Sequence, residues 1–228
     1  MISSLSKKFR IYGLSCHKNI LLLEKQIISY SPEFAVITNK KSYDNFIKKN
    51  GDTFHGTNII YGEDGLELIS SNNKVSNVII AIVGFSCIKP VISAIKHNKI
   101  ILTANKEILV SAGDFIISTL NKTNATLLPI DSEHNALLQV LLASGLEYKI
   151  NDKEYYKNKI NKLILTASGG PFYDFDLKDL ENVSPTQALK HPTWNMGKKI
   201  SVDSATMMNK GLEIIEAKVL FNLDLDNI

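Results

Sequence analysis

The sequence predicts an α/β fold: a doubly wound, mainly parallel sheet followed by part of an α+β domain. Two observations support this class. Short apolar runs alternate with helical patterns through the first part of the chain, and such alternation favours right-handed crossovers between parallel strands. The 228 residues, 44% of them hydrophobic, can also bury the core of one large domain or of one and a half ordinary ones.

Each element of the first part is predicted from its own pattern. Strands are predicted at Phe9–Tyr12, Phe34–Thr38, Val78–Val83, Ile100–Thr103 and Ala125–Ile130. Helices are predicted at Asn19–Ser29, Tyr43–Lys49, Gly65–Ser70, Lys89–His97 and Ser111–Leu120. Ligands of doubly wound sheets bind beyond the carboxyl ends of the strands, so polar residues directly after a strand are the first candidates for a site.

The second part of the chain has a different pattern. A helix is predicted at His134–Leu146 and a strand at Lys162–Thr166, with the polar segment Asn151–Asn161 between them as a surface insertion. Ser168–Phe172 and Pro185–Gly197 are predicted loops. The composition changes near residue 130, which predicts one domain over residues 1–130 and a second over residues 131–228.

Composition excludes several classes of function. The 26 basic and 23 acidic residues give a net charge of +3 without a basic block, so nucleic acid is not an expected partner. No apolar run has the length of a membrane span. Cys16 and Cys87 cannot form a disulfide scaffold and fit a reducing compartment. Because Met1–Arg10 resembles neither a signal peptide nor an ordinary transit peptide, we expect a cytoplasmic protein, or a plastid one only if a targeting sequence is missing.

The segment Ser201–Glu213 carries the densest group of polar side chains. We predict that it opens a helix capped by Asp203 or Ser204. The helical spacing predicts one buried stripe, made of Met208, Leu212, Ile215 and Val219.

A neighbouring face of the same helix carries Asn209, Glu213 and Glu216, with Lys210 beside it. A helix start can bind phosphate through its free N–H groups, and a carboxylate two turns later can hold a divalent cation. The alternative is a solvated helix with an incidental ion pair between Lys210 and Glu213.

A second candidate group is Asp131-Ser-Glu-His-Asn135, which directly follows a predicted strand. Asp131 and Glu133 can converge on one hard cation such as Mg²⁺ or Mn²⁺. In the alternative, Asp131 caps the following helix and Glu133 belongs to its acidic first turn. His134 is more often a packed or hydrogen-bonded histidine than a metal ligand.

Three further groups follow strands or occupy loops. Lys106, after the strand Ile100–Thr103, can neutralise an oxyanion in the ligand crevice, or it is an ordinary surface lysine. Ser168-Gly-Gly offers a hydroxyl and backbone N–H groups to an anion. The loop with the single tryptophan, Trp194, is either a lid over substrate or a loop that Trp194 holds against the core.

Five stretches together are more specific than any one of them. They are Ala81–Gly84, Ala104–Glu107, Asp131–Ala136, Ser168–Phe172 and His191–Glu213. In this order they resemble the 1-deoxy-D-xylulose 5-phosphate reductoisomerase family, moderately from about Ile69 onward and densely from Ile130 to the end. The resemblance implies a Rossmann-like NADPH-binding domain before the catalytic and connective domain.

The resemblance also implies roles for individual residues. Asp131, Glu133 and Glu213 match metal ligands, and Lys106 and Glu133 match catalytic residues. Substrate contacts are implied for Ser132, Ser168, His191, Trp194, Met196, Ser204, Asn209 and Lys210. Contacts with NADPH are implied for Gly13, Ser15, Lys40, Asn105 and Glu107.

The implied reaction rearranges the carbon skeleton of 1-deoxy-D-xylulose 5-phosphate through retro-aldol and aldol steps. Reduction by NADPH then yields 2-C-methyl-D-erythritol 4-phosphate in the non-mevalonate isoprenoid pathway. The resemblance implies Mg²⁺ or Mn²⁺ as the metal, with Co²⁺ as a further option. It implies a small sugar phosphate as substrate, no membrane partner, and a homodimer, as in the family.

The sequence departs from the family in two places. The family's glycine-rich turn matches Gly13–Asn19, where only the first glycine remains and Cys16 and Asn19 add side chains. The chain also stops at Ile228, so we expect the second domain to be incomplete and the family's helical carboxyl-terminal domain to be absent. These departures favour an alternative, a truncated or degenerate remnant without enzymatic activity. A generic oxidoreductase is a weaker alternative, because it does not explain the phosphate-binding residues.

Overall fold

The structure is a computed structural model, and it describes residues 8–156 and 158–228. The chain divides into two compact units. The first comprises Met1–Ile80, Ser86–Leu102 and Thr119–Thr126, and the second comprises Ala81–Phe85, Thr103–Ser118 and Leu127–Ile228. The assignment of residues 1–130 and 131–228 to a cofactor domain and a catalytic domain stays a prediction.

The described residues form seven strands and eleven α-helices. The strands are β1 (Gly13–Cys16), β2 (Phe34–Ile37), β3 (Thr53–Phe54), β4 (Thr57–Tyr61), β5 (Asn77–Ile80), β6 (Ile100–Thr103) and β7 (Thr126–Pro129). The longer helices are α1 (Ile20–Tyr30), α2 (Lys40–Asn50), α3 (Glu63–Ser71), α4 (Ile88–Lys96), α5 (Lys106–Leu120), α6 (Ser132–Ala143), α10 (Lys198–Ala205) and α11 (Met208–Phe221). Three single-turn helices are α7 (Lys153–Tyr156), α8 (Leu177–Leu180) and α9 (Pro185–Ala188).

The strands form two sheets, with strand orders β1-β2-β4-β3 and β5-β6-β7. Strands β1, β2 and β4 run parallel in a register that pairs Gly13 with Phe34 and Phe34 with Asn58, while the short β3 is antiparallel to β4. Helices connect the parallel strands, as crossover connections require. The predicted α/β class with mainly parallel strands is confirmed.

The core of the first unit lies between the sheet and its two neighbouring helices. Leu23 and Ile27, one turn apart on α1, are buried together with Ala35 and Ile37 of β2 and Phe46 of α2. Alternate residues of β2 face this cluster, because successive side chains of a strand point to opposite faces. The cluster therefore fixes the register of the first sheet.

The prediction was wrong about several strands. The first strand is Gly13–Cys16 and not Phe9–Tyr12, because the ladder with β2 begins at Gly13. The fifth is shorter than Val78–Val83 and ends at Ile80. Lys162–Thr166 is not a strand among the described residues, although the backbone N–H of Leu163 donates to the carbonyl of Asn227 at 2.7 Å.

Other elements were missed or bounded differently. The short strands β3 and β4 were not predicted at all, since Thr53–Tyr61 lacks a clear apolar run. Helix α5 begins at Lys106, five residues before the predicted start at Ser111, and has a kink at Ala112 (φ −139°, ψ 22°). Helix α6 begins at Ser132 and ends at Ala143 rather than at Leu146.

The polar segment Ser201–Glu213 does not open one helix. Helix α10 ends at Ala205, and Met207 adopts a left-handed conformation (φ 59°) before α11 begins. Gly197 precedes α10 as its N-cap, so the prediction of a cap by Asp203 or Ser204 was wrong.

The predicted buried stripe of α11 was also wrong. Met208 is 57% exposed and Ile215 41% exposed, and Leu212 and Val219 are only half-buried. The buried face carries Glu213, Glu216, Ala217, Leu220 and Phe221. The helix is rotated because its carboxylates have cationic and histidine partners inside the second unit. No helix among the described residues is long and apolar enough to span a membrane.

Candidate active site

The site lies in the second unit, where two strand ends and one helix bring charged residues together. Lys106 is the first residue of α5, three residues beyond the end of β6. Asp131 directly precedes α6, two residues beyond the end of β7. The backbone N–H of Ile130 donates to the carbonyl of Thr103 at 2.8 Å, which holds the two strand ends side by side.

Three carboxylates form the centre of the site. Asp131, Glu133 and Glu213 each offer an oxygen, and these oxygens lie within 4.8 Å of one another. Glu213 is 1% exposed, so its charge is removed from water. A cluster of three carboxylate oxygens is the donor set that hard divalent cations such as Mg²⁺ and Mn²⁺ prefer. The residues present therefore fit such an ion by their chemistry.

Lys106 joins two of these carboxylates. Its Nζ lies 2.8 Å from Asp131 Oδ2, 2.8 Å from Glu213 Oε1 and 2.8 Å from Asn209 Oδ1. Burial acts to lower the pKa of Lys106, but the contacts with Asp131 and Glu213 raise it. Burial likewise acts to raise the pKa of Asp131, but His134 and Lys106 lower it to about 2. Both groups are therefore charged at neutral pH, and Lys106 is not an ordinary surface lysine.

Lys210 contacts the third carboxylate, Glu133, and shares Glu213 with Lys106. Its Nζ lies 3.1 Å from Glu133 Oε1 and contacts Glu213 Oε2 and the carbonyl of Thr166. Burial acts to raise the pKa of Glu133, while Ser132 and Lys210 lower it. The contact between Lys210 and Glu213 is therefore part of a buried charge cluster and not an incidental surface pair. Two ammonium groups offset most of the charge of three carboxylates.

Asp131 also caps helix α6. Its Oδ1 accepts a hydrogen bond from the backbone N–H of Ser132 at 3.2 Å, while its Oδ2 faces Lys106. Glu133 lies in the acidic first turn of α6. The capping role and a place in the carboxylate cluster are thus compatible, since each uses a different oxygen of Asp131.

A small cavity lies beside the carboxylates. It is lined by Glu133, Ala167, Ser168, Gly169, Gly170, Ser204, Met207, Asn209 and Lys210. Gly169 and Gly170 have φ angles of 81° and 72°, and a Cβ at Gly170 would lie 2.5 Å from the carbonyl oxygen of Ser204. Only glycine allows this approach, which places Ser168, Ser204, Asn209 and Lys210 around one small space.

The loop with Trp194 is organised by His191. Nδ1 of His191 accepts from the backbone N–H groups of Thr193 and Trp194 at 3.1 and 3.0 Å. Nε2 therefore carries the proton and donates to the hydroxyl of Ser168 at 3.1 Å. Trp194 is 63% exposed and Met196 is half-buried. Because Trp194 is exposed, it does not hold the loop against the core, and that alternative was wrong. The other alternative, a mobile lid over substrate, stays a prediction.

The predicted cofactor residues of the second unit have structural partners. Asn105 is 2% exposed, its amide nitrogen donates to the carbonyl of Gly84 at 2.8 Å, and its oxygen accepts from the N–H of Ile108 at 2.9 Å. Glu107 lies 2.6 Å from Lys199 Nζ. Asn105 thus shapes the backbone after β6, and its contact with a cofactor stays a prediction.

The predicted cofactor residues of the first unit are placed differently from the expected turn. Gly13 and Ser15 lie within β1, so the turn after this strand is formed by His17, Lys18 and Asn19. A Cβ at Gly13 would lie 3.1 Å from the Cβ of Ile69, so this glycine allows β1 to pack closely against α3.

Side chains rather than glycines therefore build this turn. His17 Nδ1 lies 2.9 Å from the hydroxyl of Thr38, and Asn19 Oδ1 accepts from the N–H of Leu22. Lys40, at the start of α2, pairs with Asp44 at 2.8 Å and stands over the ring of Tyr61.

Sequence reasoning did not assign a role to Glu216. Its side chain is 0% exposed and lies 3.2 Å from His134 Nδ1. The sequence did indicate that Glu216 lies near the carboxylate cluster, because Glu213 and Glu216 are three residues apart and therefore share a helix face. Another missed group is the carbonyl of Thr166, which accepts from Lys210.

Comparisons with known proteins identify the family of this chain. Residues 1–113 match the family model described as 1-deoxy-D-xylulose 5-phosphate reductoisomerase, and residues 127–221 match the model of its C-terminal domain. The enzyme of that name from Wigglesworthia glossinidia brevipalpis is 46% identical over 229 residues, which is 100% of this chain and 57% of the relative. The one from Ruminiclostridium cellulolyticum is 42% identical over 96% of this chain and 54% of its own length.

A solved structure is similar over the whole chain. The crystal structure of DOX-P reductoisomerase in complex with NADPH, fosmidomycin and magnesium has a TM-score of 0.89 and 41% sequence identity, and the match covers 100% of this chain and 55% of that one. The chain thus spans little more than half the length of the relatives it matches. Both family models, the curated relatives and the solved structure agree, and the chain belongs to the 1-deoxy-D-xylulose 5-phosphate reductoisomerase family.

Proposed function

We propose that this chain carries the metal and substrate sites of an enzyme that converts 1-deoxy-D-xylulose 5-phosphate into 2-C-methyl-D-erythritol 4-phosphate with NADPH. The observation that carries the proposal is the cluster of Asp131, Glu133 and the buried Glu213, which Lys106 and Lys210 cross-link. A solvated helix or a purely capping carboxylate would not require two lysine side chains, 7% and 14% exposed, in contact with the same buried carboxylate of Glu213. The family relationship favours this function over a remnant without activity.

In the proposed site, Asp131, Glu133 and Glu213 hold Mg²⁺ or Mn²⁺, with Co²⁺ as a further option. When bound, such an ion polarises neighbouring carbonyl and hydroxyl oxygens of a substrate. Lys106 stands between two of the proposed ligands, so its ammonium group can stabilise negative charge on a reacting oxygen. Ser132 follows Asp131 at the start of α6 and offers a hydroxyl at the same edge.

The cavity beside the carboxylates is the proposed phosphate site. Ser168, Ser204, Asn209 and Lys210 line it, and these side chains can donate hydrogen bonds to an anion. A phosphate held there acts as a remote handle that orients the reacting carbons toward Lys106. The loop of His191, Trp194 and Met196 is the proposed cover that excludes water from the reacting carbons.

NADPH supplies the hydride in the proposed reaction. Because most of the family's turn glycines are missing here, we propose that side chains near the turn contribute more to NADPH binding than close approach of the backbone does. The turn after β1 contains His17 and Lys18, and Lys40 begins α2 after the neighbouring parallel strand. The ammonium groups of Lys18 and Lys40 fit the phosphate groups of a dinucleotide, and the ring of His17 offers a further hydrogen-bonding group. We propose Lys40 for the 2′-phosphate, and Gly13, Ser15, Asn105 and Glu107 as further residues of the cofactor site.

We further propose a cytoplasmic location, as for a bacterial enzyme, and the family's homodimer. The absence of a membrane-spanning helix among the described residues is compatible with this location.

The test of the proposed function is NADPH oxidation by the folded protein with 1-deoxy-D-xylulose 5-phosphate and Mg²⁺ or Mn²⁺. We expect metal-dependent turnover, and we expect Asp131→Asn and Glu213→Gln each to lower kcat/KM by at least about 100-fold, since each removes a charged metal ligand. The melting temperature of each variant is the control. Equal losses of stability and activity would mark both residues as structural, and no turnover by the folded wild-type protein would contradict the function.

Titration with NADPH separates the enzyme from the remnant. If the turn of His17 and Lys18 binds the phosphates through charge, we expect micromolar binding that weakens as salt is added. Fluorescence or calorimetry measures the affinity. Absence of binding at low salt would favour the remnant.

A further inference from the structure

The inference concerns His134 and Glu216, two buried side chains beneath the carboxylate cluster. Both are 0% exposed, His134 on α6 and Glu216 on α11. Neither is among the residues that the proposed function uses. A buried carboxyl group is costly unless it has a partner, so the arrangement of this pair requires an explanation.

Hydrogen-bond chemistry determines which nitrogen of His134 carries a proton. Nε2 lies 2.9 Å from the backbone carbonyl oxygen of Glu213. A carbonyl oxygen can only accept, so Nε2 must donate and must carry a hydrogen. In the neutral ring, Nδ1 then has a free lone pair. The ring thereby attaches helix α6 to the backbone of Glu213, one of the three proposed metal ligands.

The other nitrogen faces two acidic groups. Nδ1 lies 3.2 Å from Glu216 Oε2 and 3.8 Å from Asp131 Oδ2. Neither oxygen of Glu216 has a hydrogen-bond partner among the described residues, and the contact with Nδ1 is close without being a well-aligned hydrogen bond. An ionised carboxylate against a lone pair would be repulsive. One proton between Nδ1 and Glu216 removes this repulsion.

The charge balance of the site agrees with a single shared proton. Three carboxylates and two lysines leave one negative charge before a metal binds. A pair that holds one proton adds no net charge, whether the proton lies on Glu216 or on His134.

We propose that His134 and Glu216 form a positioning pair for the metal centre. Glu216, through one proton shared with Nδ1, keeps His134 in the tautomer whose Nε2–H holds the carbonyl of Glu213. The same ring lies beside Asp131, so one side chain orients two proposed metal ligands. Buried partners of this kind commonly set the orientation of metal-binding groups. The inference rests on the proposed metal site.

The experiment measures Mn²⁺ binding by calorimetry or electron paramagnetic resonance, without turnover. We expect one Mn²⁺ per chain in the wild-type protein. His134→Phe removes the donor to Glu213 and should weaken Mn²⁺ binding about 10- to 100-fold. His134→Gln keeps an N–H donor and should recover part of this loss. His97→Gln is the control, because His97 is exposed and its ring hydrogen-bonds only to the carbonyl of Ser93 among the described residues.

Variants of Glu216 test the shared proton. Glu216→Gln keeps a neutral group that can donate to Nδ1, so its affinity for Mn²⁺ should stay within about threefold of wild type. Glu216→Leu cannot donate and should resemble His134→Phe. Nitrogen NMR of labelled histidine in the metal-free protein should find the His134 proton on Nε2, a readout that needs no metal.

Three results would overturn the inference. Unchanged Mn²⁺ affinity in a folded His134→Phe variant would remove the positioning role. A loss in Glu216→Gln as large as in Glu216→Leu would show that an anion is required. A second bound Mn²⁺ that disappears in Glu216→Gln would make Glu216 a ligand. Failure of wild-type protein to bind any Mn²⁺ would instead contradict the proposed metal site, and the pair would then have no metal centre to position.

Discussion

At the scale of single residues, the site is a compact arrangement of opposite charges. Lys106 contacts Asp131 and Glu213, and Lys210 contacts Glu133 and Glu213. Buried ion pairs are costly to desolvate and are poor evidence for stability. Four ion pairs made by two lysines at one edge, beside a cavity with hydroxyl and amide groups, are better explained by the binding of a ligand.

The raised pKa of Glu216 predicts how stability depends on pH. Burial raises this pKa from 4.5 to about 7. The folded protein therefore keeps a proton that the unfolded chain releases above pH 4.5, so this contribution to stability is full below pH 4.5 and is lost as the pH rises through about 7.

Neighbouring groups do not reverse this sign. Burial acts to lower the pKa of His134, but Asp131 and Glu216 raise it, so its contribution is also lost at higher pH. The pKa of Asp131 is lowered from 3.8 to about 2, so its contribution changes only at more acidic pH.

In EDTA, we expect the melting temperature of the wild-type protein to fall relative to Glu216→Gln between about pH 5 and about pH 8. Thermal unfolding at a series of pH values measures this difference. A constant difference across that range would show that Glu216 is already ionised in the folded protein.

At the scale of elements, sequence patterns located the ends of β6 and β7 to within one residue but not the buried face of α11. Ile100–Thr103 was predicted with its observed bounds, and the polar residues that follow β6 and β7 do meet. The orientation of α11 was not predictable from hydrophobicity, because buried carboxylates replace apolar side chains on its inner face. Their partners come from distant parts of the chain, which no local pattern records.

The first strand shows a second limit of the sequence. Phe9–Tyr12 has the apolar composition expected of a strand, yet the hydrogen-bonded pairing of β1 with β2 begins at Gly13. Register depends on pairing with β2 and on packing of α1, both of which are properties of the assembled sheet. The four-residue error moved Gly13 and Ser15 from a predicted turn into a strand.

In the loop Ser168–Gly170, we expect the substitution of Gly170 by alanine to destabilise the protein strongly. Gly170→Ala has both a strained φ of 72° and a Cβ at 2.5 Å from the Ser204 carbonyl oxygen. Gly56→Ala has a similar φ of 77° but no atom within 4 Å of the new Cβ. We expect about 1 kcal/mol of destabilisation for Gly56→Ala and at least about 2 kcal/mol for Gly170→Ala, since overlap adds to strain.

Unfolding in urea, followed by a probe in the unit that holds each glycine, measures the two free energies. Equal losses would mean that the backbone around Ser204 moves away without cost, and that the loop does not shape the phosphate cavity.

At the scale of the whole molecule, the two units differ in how far they follow the family pattern. The second unit brings together the complete predicted set of metal and phosphate residues. The first unit keeps the parallel sheet but has His17, Lys18 and Asn19 where the family has a glycine-rich turn. Both the set of metal and phosphate residues and the altered turn were predicted from the sequence. Such motifs consist of consecutive residues, and they can be recognised even where the bounds of a neighbouring strand are predicted wrongly.

The central claim is that Asp131, Glu133 and Glu213 bind one divalent cation. Anomalous diffraction from crystals of the protein grown with Mn²⁺ tests it most directly. We expect a single anomalous peak in contact with oxygens of these three carboxylates, absent in Glu213→Gln crystals of the same form. A peak held instead by His134 and Glu216, or no peak at saturating Mn²⁺, would show that the three carboxylates do not bind the ion.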